Sequence, residues 1–152
     1  MVYTYQTVYL DKSIIEVCKV LARMRSNANG GKNYESDFHG LLGEIAYAKH
    51  FNLYPDLSIG KRINTYDFMH EGKRIDIKTN HKIDGGLIVN ERDNIDVDVY
   101  VLALLDESPN VVHLAGYIEK DVLRQENNLR EFKFNEGVKR KYIMHQQNLK
   151  RF

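Results

Sequence analysis

The run from Val99 to Leu105, VYVLALL, constrains the fold more than any other segment. It carries no charge and does not alternate polar with apolar residues. It is far shorter than the roughly 18–20 apolar residues a bilayer span takes. A Val- and Leu-rich run of this kind, read from Val97 to Leu105, fits a central strand covered on both faces. A chain holding such a strand must supply one layer of structure above the sheet and another below it.

The flanking patterns supply those layers. Val2 to Leu10 mixes β-prone and polar types and predicts a short strand. Asp11 or Ser13 opens a helix whose apolar positions Ile14, Ile15, Cys18, Leu21 and Ala22 recur at helical spacing. Asn27 to Asn33 reads as a loop. Ser36 or Asp37 starts a second helix to about Phe51, with the stripe Phe38, Leu41, Leu42, Ile45 and Ala48. The period then changes to two: YDFMHEGKRIDIKT predicts a β-hairpin turning at Glu71-Gly72. Short strands follow at Leu87–Asn90 and Val111–Ile118, with a turn at Ser108-Pro109-Asn110 and a short helix from Glu119 to about Gln125. The remainder is mixed. The sum is an α/β fold with a mixed sheet.

The 152 residues include only 2 prolines and no linker, which predicts one domain over 1–152. Within it, 1–33 form an extension, about 36–125 the core, and 137–152 a basic C-terminal segment. One cysteine excludes an internal disulfide and a cysteine-based zinc cluster. The opening MVYTYQTVYLDK has no basic start followed by an apolar block, so a signal peptide is not expected, nor a membrane partner. There is no P-loop, G-x-G-x-x-G or G-x-S-x-G, which argues against a nucleotide-driven motor or an α/β-hydrolase.

The hairpin carries the chemistry. If His70 pairs with Lys73, Asp67 lies opposite Asp76, and Lys78 shares the Asp76 face while Ile75 and Ile77 point the other way. Facing carboxylates repel. A fold tolerates them when one is protonated, when both are solvated, or when a cation sits between them. Two hard oxygen ligands beside a lysine suit Mg²⁺ or Mn²⁺. Glu44 falls about 60° from Leu41 on the helical wheel, at the edge of the apolar stripe, where it is a candidate third ligand. Each of these residues alone fits a solvated surface position; their register and apolar neighbours point to a site together.

The order GLLGEIAYAKHF, YDF and IDIKT resembles the PD-(D/E)XK nuclease superfamily, in particular small phage and bacterial members with a G-x-x-GE helix. The resemblance spans roughly His39 to Ile118. It implies a restriction-endonuclease-like αβββαβ core, a mixed sheet flanked by helices. It makes Asp67 the first motif acid, Asp76 the second, Lys78 the motif lysine and Glu44 the helix glutamate that completes the metal site. Tyr66 stands where the motif's name has proline. The Ile77 carbonyl is a further metal ligand by the same resemblance.

The implied activity is metal-dependent hydrolysis of DNA phosphodiesters, with Mg²⁺ or Mn²⁺ as cofactor. Lys78 would orient or deprotonate the attacking water and offset developing charge. The alternatives are a Holliday-junction resolvase or homing-type endonuclease, and a non-catalytic nucleic-acid- or protein-binding module. Double-stranded or branched DNA is the expected partner, a homodimer the expected assembly, and the cytoplasm of a bacterium or phage-infected cell the expected compartment. Net charge is only +1, yet Lys61 to Lys82 holds six basic residues and three acids. Lys61, Arg62, Lys73, Arg74, His81 and Lys82 are therefore the expected nucleic-acid contacts. Gly137 to Phe152 adds five basic residues and no acid, whereas Glu91 to Glu107 holds six acids and one Arg.

Overall fold

The computed structural model describes residues 5–59, 65–93, 96–108 and 110–152. Two expected phosphate contacts, Lys61 and Arg62, lie outside the described residues. The elements run β1 (Gln6–Tyr9), α1 (Lys12–Ala28), α2 (Tyr34–Phe51), β2 (Phe68–His70), β3 (Lys73–Asn80), β4 (Leu87–Asn90), β5 (Val99–Leu105), β6 (Val111–Glu119), α3 (Lys120–Leu123), β7 (Leu129–Phe134) and β8 (Gly137–Met144). The protein is mixed α/β.

Every residue of β5 is buried, as its composition requires. It lies in the middle of a five-stranded sheet ordered β1-β6-β5-β3-β2. The β3–β5 pair is parallel and the other pairs are antiparallel. Alternation divides the β5 side chains between two cores. Val99, Val101, Ala103 and Leu105 join Ile75 and Ile77 beneath α1 and α2. Tyr100, Leu102 and Leu104 face Leu87, Val89, Tyr142 and Met144. Those last residues belong to a second sheet, β4-β8-β7, which covers the face the helices leave open.

Sequence and structure differ at three places. The first helix is no appendage, because Ile15, Cys18 and Ala22 are buried in the same cluster as Leu41 and Leu42 of α2. The C-terminal region, expected to be mixed, builds β7 and β8. In addition, β6 follows β5 across a turn and α3 comes only after β6, so the described order departs from αβββαβ beyond β5.

Gly43 explains how closely helix and sheet approach. A Cβ built there would lie 2.1 Å from Thr79 Oγ1 and 3.2 Å from the Ala103 methyl. Gly40, in the same G-x-x-G pattern, faces open space. The second glycine alone is a packing requirement.

Candidate active site

The hairpin pairs in the register read from the sequence: His70 with Lys73 and Phe68 with Ile75. Since β2 stops after three residues, the β2-facing edge of β3 is open beyond Ile75, with no strand paired to it among the described residues. Asp67, immediately before β2, closes the start of that edge. Its N–H donates to the Ile75 carbonyl at 2.9 Å, and its Oδ2 accepts the Ile77 N–H at 2.7 Å. In a strand the N–H and C=O of one residue leave on the same side, so the Ile77 carbonyl faces this open edge too.

Asp76 neighbours Asp67, and the two carboxyl groups share a hydrogen bond. The Asp76 side chain is 18% exposed. Burial, followed by the Asp67 charge, pushes its carboxyl up to about 7. Lys78 Nζ lies 3.2 Å from Asp76 Oδ2 and 3.2 Å from Asp93 Oδ2. Burial alone would lower the Lys78 ammonium, but Asp76 and Asp93 outweigh it and the net direction is upward. In this arrangement Lys78 is an ammonium, suited to offsetting charge and donating a proton rather than removing one.

Asp93 escaped the sequence reading because nothing in the acidic stretch Glu91–Glu107 distinguishes it. Arg124, at the C-cap of α3, holds it in place. The guanidinium donates to the carbonyls of Glu91 and Asp93 at 3.2 and 3.0 Å, and Nε donates to Tyr100 Oη at 3.0 Å. Tyr100 comes from β5, so the loop bearing Asp93 is tied to the central strand.

Glu44 is buried on α2, but its carboxylate faces Arg25 Nη1 of α1 at 4.0 Å. Arg25 in turn donates to the carbonyls of Ser58 and Asp56 at 2.9 and 2.6 Å. Asp76 and Lys78 project from the opposite face of the sheet to Ile75 and Ile77, on which α2 packs. The structure brings Asp67, Asp76 and Lys78 together and leaves Glu44 with Arg25. Among the described residues, no group of three or more His, Cys, Asp or Glu side chains is arranged to hold a metal ion.

The expected phosphate contacts divide further. Arg74 is committed to Asp98, with Nη2 3.0 Å from Oδ1, and to Asp96. It stiffens the start of β3 rather than presenting a free guanidinium. Lys73 is exposed beside the hairpin turn. His81 stacks on His39 with ring centroids 5.8 Å apart. Lys82 is exposed, and its N–H donates to Asn80 Oδ1 at 3.0 Å.

The opposed acids have a measurable consequence for stability. Folded Asp76 retains its proton to about 7, whereas its ordinary value is 3.8. Between about pH 4 and pH 7 the folded state therefore binds more protons than the unfolded chain, and this residue's contribution declines as pH rises. Without divalent cations, Asp76→Asn should raise stability at pH 8 by about 1–3 kcal/mol, with a smaller gain at pH 5. Melting at both pH values in EDTA checks this; an unchanged or lower melting temperature at pH 8 contradicts it.

In comparisons with known proteins, no family model, no curated protein and no solved structure matches this chain. No helix among the described residues is long and apolar enough to cross a membrane.

Proposed function

We propose that the protein is a metal-dependent nuclease that hydrolyses DNA phosphodiesters. The observation that carries this reading is the Asp67–Asp76 pair, facing across the point where β2 leaves β3, with Lys78 beside it. Two carboxylates and the Ile77 carbonyl are hard oxygen donors of the kind Mg²⁺ and Mn²⁺ take. Asp67, Asp76 and Ile77 would hold such an ion, and the ion would supply Lewis-acid polarisation of the phosphate and activation of water.

The chain's own groups do the rest. Asp67 fixes the open edge of β3 through the Ile77 N–H. Lys78 Nζ orients water against the phosphate and offsets charge developing on the phosphoryl oxygens. Asp93 holds Lys78 on the Asp76 face. Helix α2, the β2–β3 hairpin and buried β5 make up the part of a restriction-endonuclease-like core that carries the motif acids in the resembling superfamily. Two copies acting as a homodimer would allow both strands of a duplex to be cut.

One observation favours a second reading. The Arg25 pairing of Glu44 leaves the Asp67–Asp76 pair without its expected third acid, as in a binding module that keeps the fold and has lost catalysis. Cleavage assays on linear, nicked and four-way DNA separate the two. The nuclease reading expects products with Mg²⁺ or Mn²⁺ and none in EDTA. Intact DNA under all conditions, with binding retained, would establish the binding module.

A further inference from the structure

The β7–β8 hairpin extends past the sheet that anchors it. β4 pairs with Lys141–Met144 of β8, so among the described residues Gly137–Arg140 has β7 as its one strand partner, with the Glu91 N–H donating to the Arg140 carbonyl at 2.9 Å just past the end of β4. Register and alternation place Arg130, Phe132 and Phe134 of β7 on one face with Lys139 and Lys141 of β8. This face points away from Tyr142 and Met144, which pack into the core. It carries no acid. Arg130 sits directly opposite Lys141, a cross-strand pairing of like charges that is unfavourable in isolation. Neither Lys139 nor Lys141 has an acidic partner among the described residues. Each lies over a ring instead: Lys139 Nζ is 5.4 Å from the Phe134 centroid and Lys141 Nζ is 5.6 Å from that of Phe132. Phe132 and Phe134 are 36% and 51% exposed.

Unneutralised cations alternating with exposed rings form a surface for a polyanion that carries flat apolar groups. Unpaired nucleotides have both features, whereas the bases of a duplex are already stacked. A cleft of about 770 Å³ lies between the ribbon and the loop that bears Asp93, lined on the ribbon by Glu131, Val138 and Arg140 of its other face as well as by Lys139 and Lys141. Its walls also include Asn90, Glu91 and Asp93, and Asp93 is the residue that contacts Lys78.

We propose that the outer face of the β7–β8 ribbon binds single-stranded DNA, stacking bases on Phe132 and Phe134 and holding phosphates with Arg130, Lys139 and Lys141. The inference deepens the nuclease reading and rests on it for the choice of DNA: the substrate would be a branched or partly unpaired molecule whose single strand lies on the ribbon.

The test is fluorescence anisotropy with a labelled single-stranded 20-mer and the matching duplex. The full chain carries Asp76→Asn so that binding is read without cleavage. The single strand should bind more tightly. F132A/F134A should weaken it about tenfold or more while changing duplex binding little. K139Q/K141Q should weaken both and reduce the salt slope by about 1–2. Both phenylalanines are partly exposed, and a melt of each variant verifies folding. Unchanged single-strand binding by folded F132A/F134A overturns the inference, as does displacement by polyglutamate as effective as by the oligonucleotide, which would assign the face to an acidic polypeptide. The two readings fail separately. Cleavage by wild type with no role for the rings removes the ribbon proposal alone. Ring-dependent binding with no cleavage under any metal supports the ribbon and removes the nuclease.

Discussion

Asp76→Ala is expected to reduce metal-dependent DNA cleavage by ~10³-fold or more while leaving the fold intact. The site explains why activity and stability separate here. Asp76 sits against a second carboxylate, so its removal relieves repulsion in the metal-free protein and, on the proposed reading, takes away a hard ligand at the same time. Lys78→Ala should also reduce cleavage, by ~10²–10³-fold, for a different reason. It leaves both carboxylates in place and frees them of their ammonium neighbour, so divalent-cation binding should be kept or strengthened. A pair of variants that both lose activity, one without cation binding and one with it, is what the assigned roles require. Rate measurements across a Mg²⁺ series check this, and undiminished cutting by Asp76→Ala removes Asp76 from the site.

The second large effect is structural. Gly116 lies in β6 at φ +155°, next to the register shift between Leu102 and Ala103 of β5. A Cβ there would meet the Lys150 carbonyl oxygen at 2.4 Å and Leu149 Cβ at 2.9 Å. The obstruction is backbone and cannot swing aside, because Tyr117 and Lys150 exchange N–H···O bonds of 2.9 Å in both directions. Gly116→Ala must therefore push the C-terminal segment off β6 and expose Leu149, which is 5% exposed in the native fold. A loss of about 3 kcal/mol is expected. In a domain of this size that lowers the melting temperature by roughly 6–12 °C. A melting temperature within about 2 °C of wild type would show that the segment is not held this way.

Local pattern made part of this architecture legible. VYVLALL names a strand buried on both sides because neither face of it can tolerate water. The hairpin register follows from a two-residue turn, and with it the placement of Asp67 against Asp76 and of Lys78 on the same face. Cys18 reads correctly as buried, at 0% exposure. What pattern could not give are partners far apart in sequence. Glu44 has the right amphipathic position, but Arg25 lies on another helix and no spacing rule links them. Arg74 reads as a basic surface residue until Asp96 and Asp98 are folded against it. The β7–β8 ribbon was hidden for a related reason. Its residues are mostly exposed, so LREFKF and GVKRKY show no consistently apolar face from which a strand can be read.

The account stands on Asp67 and Asp76 holding one divalent cation between them. The direct measurement is Mn²⁺ titration followed by electron paramagnetic resonance, comparing the wild-type protein with Asp76→Asn and Asp67→Asn. Loss of the free-Mn²⁺ signal on the wild-type chain, absent from both variants, is the predicted result. Equal Mn²⁺ uptake by all three proteins, or none by the wild type, would contradict it.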